Sequence, residues 1–148
     1  MGTKLLFSGD WVIILGVGRL NIQVMNASKK ILGEEHPKTI LARGNLASAY
    51  SNLGKYTEAE KLQIQVLDAR NKIYGGEHPA TILAMGNLAS TFYSLGKYRE
   101  AERLENCILD ATNKIYGEEH PRTSLAMRNL SCTYSKQGKY IEAQNLEI

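Results

Sequence analysis

GEEHPKTILARGNLASAYSNLGKYTEAE occupies residues 33–60. It returns with changes as GGEHPATILAMGNLASTFYSLGKYREAE at 75–102 and as GEEHPRTSLAMRNLSCTYSKQGKYIEAQ at 117–144. The interval is 42 residues both times, and roughly two-thirds of the positions in 33–74 recur in 75–116. Self-similarity at a fixed period marks a duplicated supersecondary unit, one that buries its apolar face against its neighbours. The match also runs backward, since residues 23–27 align with 65–69 and 30–33 with 72–75. The chain therefore reads as a non-repeat segment 1–19 followed by an array over 20–148. The array holds a partial repeat 20–32, full repeats 33–74 and 75–116, and a shortened repeat 117–148.

Each unit predicts two helices. Proline is accepted at the first helical position, where its missing N–H has no partner to lose, so Pro37 opens the first helix. Ala42, Leu46, Tyr50 and Leu53 then recur at spacings of three and four, the signature of one buried stripe. Gly54 ends that helix, and Tyr56 opens a second with the stripe Ala59, Leu62, Val66, Ala69 and Ile73. The stripe repeats as Ala101, Leu104, Ile108, Ala111 and Ile115. Asp68 with Lys72, and Asp110 with Lys114, stand four apart in the favourable acid-before-base order. The pentapeptide is thus the linker between hairpins. Its glycine stops one helix, its acidic residues favour the positive end of the next, and its proline starts it. About seven helices are expected, counting the incomplete ones.

His36, His78 and His120 sit between an acidic residue and a proline, which invites a catalytic or metal-binding reading. One histidine per unit places successive imidazoles a whole repeat apart, too far to share a metal. A structural role within each linker turn is the better expectation, with no metal site.

The totals exclude other classes. A net charge of +3, with Lys and Arg interspersed among Glu, lacks the clustered basic face of a nucleic-acid binder. Cys107 and Cys132 form no C-x-x-C pair and occupy unrelated repeat positions, so neither a zinc site nor a disulfide framework is expected. Free thiols suit a reducing, cytoplasmic setting. Near the amino end Ser8-Gly9-Asp10 splits two apolar patches, and residues 11–17 are too few to span a membrane. Leu6 stands where myristoylation requires Ser or Thr. VIILGVGRLN at 12–21 mimics a dinucleotide fingerprint, but Asn21 replaces the third glycine and no strand–helix alternation surrounds it. With no phosphate loop and no nucleophile constellation, neither an enzyme nor a cofactor is expected.

Asn45-Leu46-Ala47-x-x-Tyr50 followed by Leu53-Gly54-Lys55-Tyr56-x-Glu58-Ala59 resembles the tetratricopeptide repeat. The 42-residue period and G-x-x-H-P linker are similar to those of kinesin light chains and of expanded fungal tetratricopeptide arrays. Phe92 in place of the tyrosine and Ser131 in place of the alanine are mild departures. The resemblance implies an all-α solenoid of antiparallel helix hairpins, a superhelix with a concave face lined by the first helix of each pair. It further implies a scaffold that captures a peptide or partner protein there.

On this chain that face carries Leu41, Gly44, Asn45, Ser48 and Asn52, then Leu83, Gly86, Asn87, Ser90 and Ser94, then Leu125, Arg128, Asn129, Cys132 and Lys136. Asn45, Asn87 and Asn129 recur in register, and an amide can bond an extended backbone whatever its side chains. Asparagine is a mediocre helix residue, so its return asks for a reason: either a grip on a peptide, or a bond to a neighbouring helix copied by duplication. Ser51 becomes Tyr93, Gly44 and Gly86 become Arg128, and Asn52 becomes Lys136. Such changes either tune the partner or drift freely, and the basic ones hint at an acidic ligand. The expected groove is Asn45, Ser48, Asn52, Asn87, Ser90, Tyr93, Arg128, Asn129 and Lys136. Gly16-Val17-Gly18 is a poor helix start, and neither end of the array carries a polar cap. Uncapped ends suggest a fragment of a longer array or end-to-end self-association. A different setting is the ligand-sensing tail of a nucleotide-binding signalling protein of the NACHT or NB-ARC type.

Overall fold

The computed structural model describes the backbone from Gly2 to Glu147, and the side chains of residue 16 and residues 18–146. The side chains behind the targeting reading of residues 1–19 lie mostly outside that range. Among the described residues there are seven helices and no strand: α1 (Gly2–Leu32), α2 (Pro37–Asn52), α3 (Tyr56–Tyr74), α4 (Pro79–Ser94), α5 (Tyr98–Tyr116), α6 (Pro121–Lys136) and α7 (Tyr140–Glu147). They fall into two compact units that divide between Ala69 and Arg70. In the first, α1 packs on α2; in the second, α4, α5, α6 and α7 pack each on the next. No described helix is long and apolar enough to cross a membrane.

The linkers work largely as read, with one addition. Pro37, Pro79 and Pro121 each stand at the start of a helix, and the residue before each is the N-cap. Histidine takes that post. The Nδ1 atoms of His36, His78 and His120 accept the backbone N–H of Lys38, Ala80 and Arg122 at 3.1, 3.0 and 3.1 Å. Each imidazole thereby satisfies one of the N–H groups that a helix start leaves unpaired. The rings of His78 and His120 also stack on Tyr74 and Tyr116, with centroids 4.4 and 4.5 Å apart. Leu32 holds the equivalent place before His36, so that ring has no aromatic partner there. His78→Ala is expected to cost about 1 kcal/mol in chemical denaturation, and His78→Asn, a good cap, to restore most of it. Equal losses in both variants would refute the capping role.

Two of the acidic linker residues, Glu34 and Glu77, form ion pairs. Glu34 meets Lys29 at 2.9 Å, a pairing that holds its carboxyl below the usual carboxylate range. Lys114 meets Glu77 at 2.7 Å, reaching back across the unit, where its spacing from Asp110 had suggested an intrahelical partner. Both pairs are exposed and contribute little stability.

The stripes hold where they are densest. Ala42, Leu46, Ala59, Val66, Ala101 and Ala111 are buried, whereas Tyr50, Leu53, Leu62, Leu104 and Ile108 are partly covered. Ile73 and Ile115, expected to close the second-helix stripes, are 47% and 41% exposed. They occupy the last helical turn, which leaves the core. Much of the core is alanine, including Ala84, Ala89, Ala126 and Ala143, small enough to let helices approach closely. Periodicity overlooked Thr39, Thr81 and Thr123, each fully buried in a first turn. The Thr81 hydroxyl donates to the Arg70 carbonyl at 3.2 Å, and that of Thr123 to the Gly117 carbonyl at 2.7 Å. Each ties a new helix to the chain just before it.

At the amino end, α1 runs unbroken through Gly16 and Gly18, against the expectation of a poor helix start. Helix propensity is a weak bias of about 1 kcal/mol per glycine, and packing context routinely overrides it.

Candidate functional site

First-helix residues that point away from the alanine core form the candidate face. On α2, Asn45, Ser48 and Asn52 are exposed and Leu41 is 54% exposed. On α4, Asn87, Ser90 and Ser94 are exposed, Tyr93 is partly covered and Leu83 is 59% exposed. On α6, Arg128, Asn129, Cys132 and Lys136 are exposed and Leu125 is 52% exposed. Among the described residues, the amides of Asn45, Asn87 and Asn129 take no hydrogen-bond partner. At Asn87 it is the backbone carbonyl that is engaged, accepting from the Thr91 hydroxyl at 3.2 Å.

In the second unit this face is not flat. A cleft of about 290 Å³ opens among α4, α5 and α6, lined by Gly86, Ala89, Ser90, Tyr93, Glu105, Ile108, Asn129 and Cys132. It gathers three residues of the expected groove, Ser90, Tyr93 and Asn129, together with Gly86 and Cys132 of the same face. Arg128 turns elsewhere, into a wider recess between α6 and α7 with Glu118, Glu119, Ser124, Met127, Asn145 and Leu146. Asn87 and Lys136 line neither. Asn45, Ser48 and Asn52 belong to the first unit.

Sequence reading missed Glu105. It follows Ala101 by four and precedes Ile108 by three, so it stands in the buried register of α5. Its side chain is only 6% exposed, and Oε2 is buried with no hydrogen-bond partner among the described residues. Burial pushes its carboxyl up to about 7, against the lowering influence of the Thr133 hydroxyl and with a smaller upward push from Glu102. The signal was present, because a Glu replaces Gln63 at a position the repeat keeps inside.

Gly86 also lines the cleft, and Gly44 is its counterpart on α2. Neither has a positive φ, and a Cβ at either would meet nothing within 4 Å. Helix packing does not require glycine at these positions.

Tetratricopeptide repeat family models match residues 38–114 and 123–148. The chain belongs to the tetratricopeptide repeat family. Among solved structures, this tetratricopeptide protein is similar to a kinesin light chain-like protein of Podosopora anserina built of nearly identical repeats. The identity is 28% and the TM-score 0.84, covering 90% of this chain and 63% of that one. It also resembles BtubC from P. vanneervenii at 20% identity and TM-score 0.82, covering 92% of this chain and 54% of the other. The tetratricopeptide domain of Arabidopsis FLU matches at 14% identity and TM-score 0.63, over 73% of this chain and 87% of that one. The last two likenesses speak to fold alone. This tetratricopeptide chain spans less than two thirds of the length of the first two proteins. No curated protein matches its sequence. The fold class is all-α, built of tandem helix hairpins of the α-solenoid type.

Proposed function

We propose that this protein is a non-catalytic interaction scaffold, and that a peptide segment of a partner protein docks on the first-helix faces of its repeats. The observation that carries the reading is the asparagine set. Three amides, Asn45, Asn87 and Asn129, recur in one helical register, exposed and without partners among the described residues. A bond to a neighbouring helix would have given duplication a structural reason to copy them, and no such bond accompanies them. Mid-helix glycine adds support. Gly86 weakens α4 by about 0.5–1 kcal/mol relative to alanine, and close approach of a bound backbone is a use for the space it leaves.

The test is a peptide-display selection on the purified chain, followed by calorimetric titration of the best binder. Asn87→Ala is expected to weaken that peptide by about 1–2 kcal/mol, five- to thirtyfold, because it leaves backbone groups of the bound segment unpaired. Failure to select any peptide, or unchanged affinity with unchanged helicity, would remove this reading.

A further inference from the structure

Glu105 has no role in a backbone grip, and its position is costly. An ionised carboxylate that is taken out of water without a partner is strongly unfavourable, and the usual remedies are a paired cation or a bound proton. No basic residue lines its cleft. Lys139 meets Glu102, the neighbouring carboxylate on α5, at 3.2 Å. The cleft itself is open to the first-helix face through Gly86, Ser90 and Asn129. Its volume of about 290 Å³ is on the order of ten waters, ample for one long side chain. Ala89 and Ile108 offer apolar wall for a methylene stem, while Ser90, Tyr93 and Asn129 offer polar atoms around a charged head.

We propose that this cleft is a socket for one cationic side chain, lysine or arginine, of the docked segment, with the Glu105 carboxylate as its counter-ion. The inference rests on the scaffold reading for its occupant, and charge complementarity selects a cation. Arg128 does not contradict it, because that residue lines the separate recess between α6 and α7. The socket therefore distinguishes a cation-bearing segment from the acidic ligand that Arg128 and Lys136 had suggested. The titratable groups facing Glu105 are Tyr93 from α4, Glu102 one turn earlier on α5, and Cys132 from α6. Of these, Glu102 is the one that adds negative charge to the site, and Lys139 balances it.

Capped arginine, Nα-acetyl-arginine amide, tests the socket directly, with the corresponding citrulline derivative as its neutral isostere. In NMR titrations of the full chain, the arginine probe is expected to shift the Gly86, Asn129 and Cys132 signals saturably and to lower the titration midpoint of the Glu105 carboxyl. Citrulline is expected to do neither. Affinity should rise about tenfold from pH 6 to pH 8 as a carboxyl titrating near 7 ionises. Glu105→Gln should lose at least fivefold and flatten that dependence. Gln63 occupies the same register in the preceding repeat, buried to 8% exposure, so glutamine is accommodated there. Equal responses to the two probes, no response at all, or an unchanged Glu105→Gln variant would overturn the proposal. Should that variant fail to fold, the arginine–citrulline difference and the pH ratio of the wild type still decide. Because the probe is a single residue, it reads the socket independently of peptide selection, and the two readings can fail separately.

Discussion

Leu130→Ala is expected to cost about 3 kcal/mol of unfolding free energy, read as a lower urea midpoint by circular dichroism. Leu130 lies on α6 and is 1% exposed. Its truncation removes buried methyl groups and leaves a cavity, since α5 and α7 flank α6 and rigid helices close only partly over a hole. The contrasting variant is Leu125→Ala, five residues earlier on the same helix, where the leucine is 52% exposed. That change is expected to stay within about 0.5 kcal/mol. Together they test the orientation of α6, because a helix rotated by half a turn would exchange the two results. Comparable costs at both positions would mean that the outward face assigned to Asn129 is wrong. Leu46 and Leu88, each 3% exposed, hold the same repeat position on α2 and α4, and their truncation belongs to the same class.

Helix starts and stops were legible because they depend on backbone restrictions peculiar to two residue types. Pro37, Pro79 and Pro121 begin helices, and Gly54, Gly96 and Gly138 follow helix ends with φ of 75°, 76° and 78°, a region that other residues enter at a cost. Stripes of alanine and leucine at helical spacing read equally well. What periodicity handles poorly is a polar residue in an apolar register. Thr39, Thr81 and Thr123 repeat without change and are all buried, yet a threonine in a first turn looks like surface until, at Thr81 and Thr123, its carbonyl partner is seen. The linker histidines were legible as structural, but the accepting Nδ1 atom was not, because histidine is an uncommon cap. The candidate face was legible as a helical register. Its partition was not: Arg128 and Asn129 are sequence neighbours, yet a helix turns them into different recesses. Depth below the face depends on which second-helix residue lies beneath it, and that required α5 to be placed against α4 and α6.

Glu105→Gln is expected to stabilise the chain by about 2 kcal/mol at pH 8.5 and by little at pH 4.5. The sign follows from proton linkage. Burial raises the folded-state carboxyl to about 7 from an ordinary value of 4.5, so between those values the folded chain holds a proton that the unfolded chain has released. Wild-type stability from this group is therefore complete below pH 4.5 and is lost as pH rises through 7. Glutamine has no proton to lose, so its contribution stays level. A shift of that size corresponds to roughly 3.4 kcal/mol at full linkage, and water entering the open cleft screens part of it, hence the smaller figure. Urea denaturation of both proteins at the two pH values measures the difference of differences, which cancels every other titrating group. Parallel curves would show that the carboxyl is better solvated than its 6% exposure implies, and would take away the reason for a cation to enter. A gap that opens with pH would mean that the chain tolerates an unpaired buried acid at a cost in stability. Residues kept under those terms are often kept for what they bind.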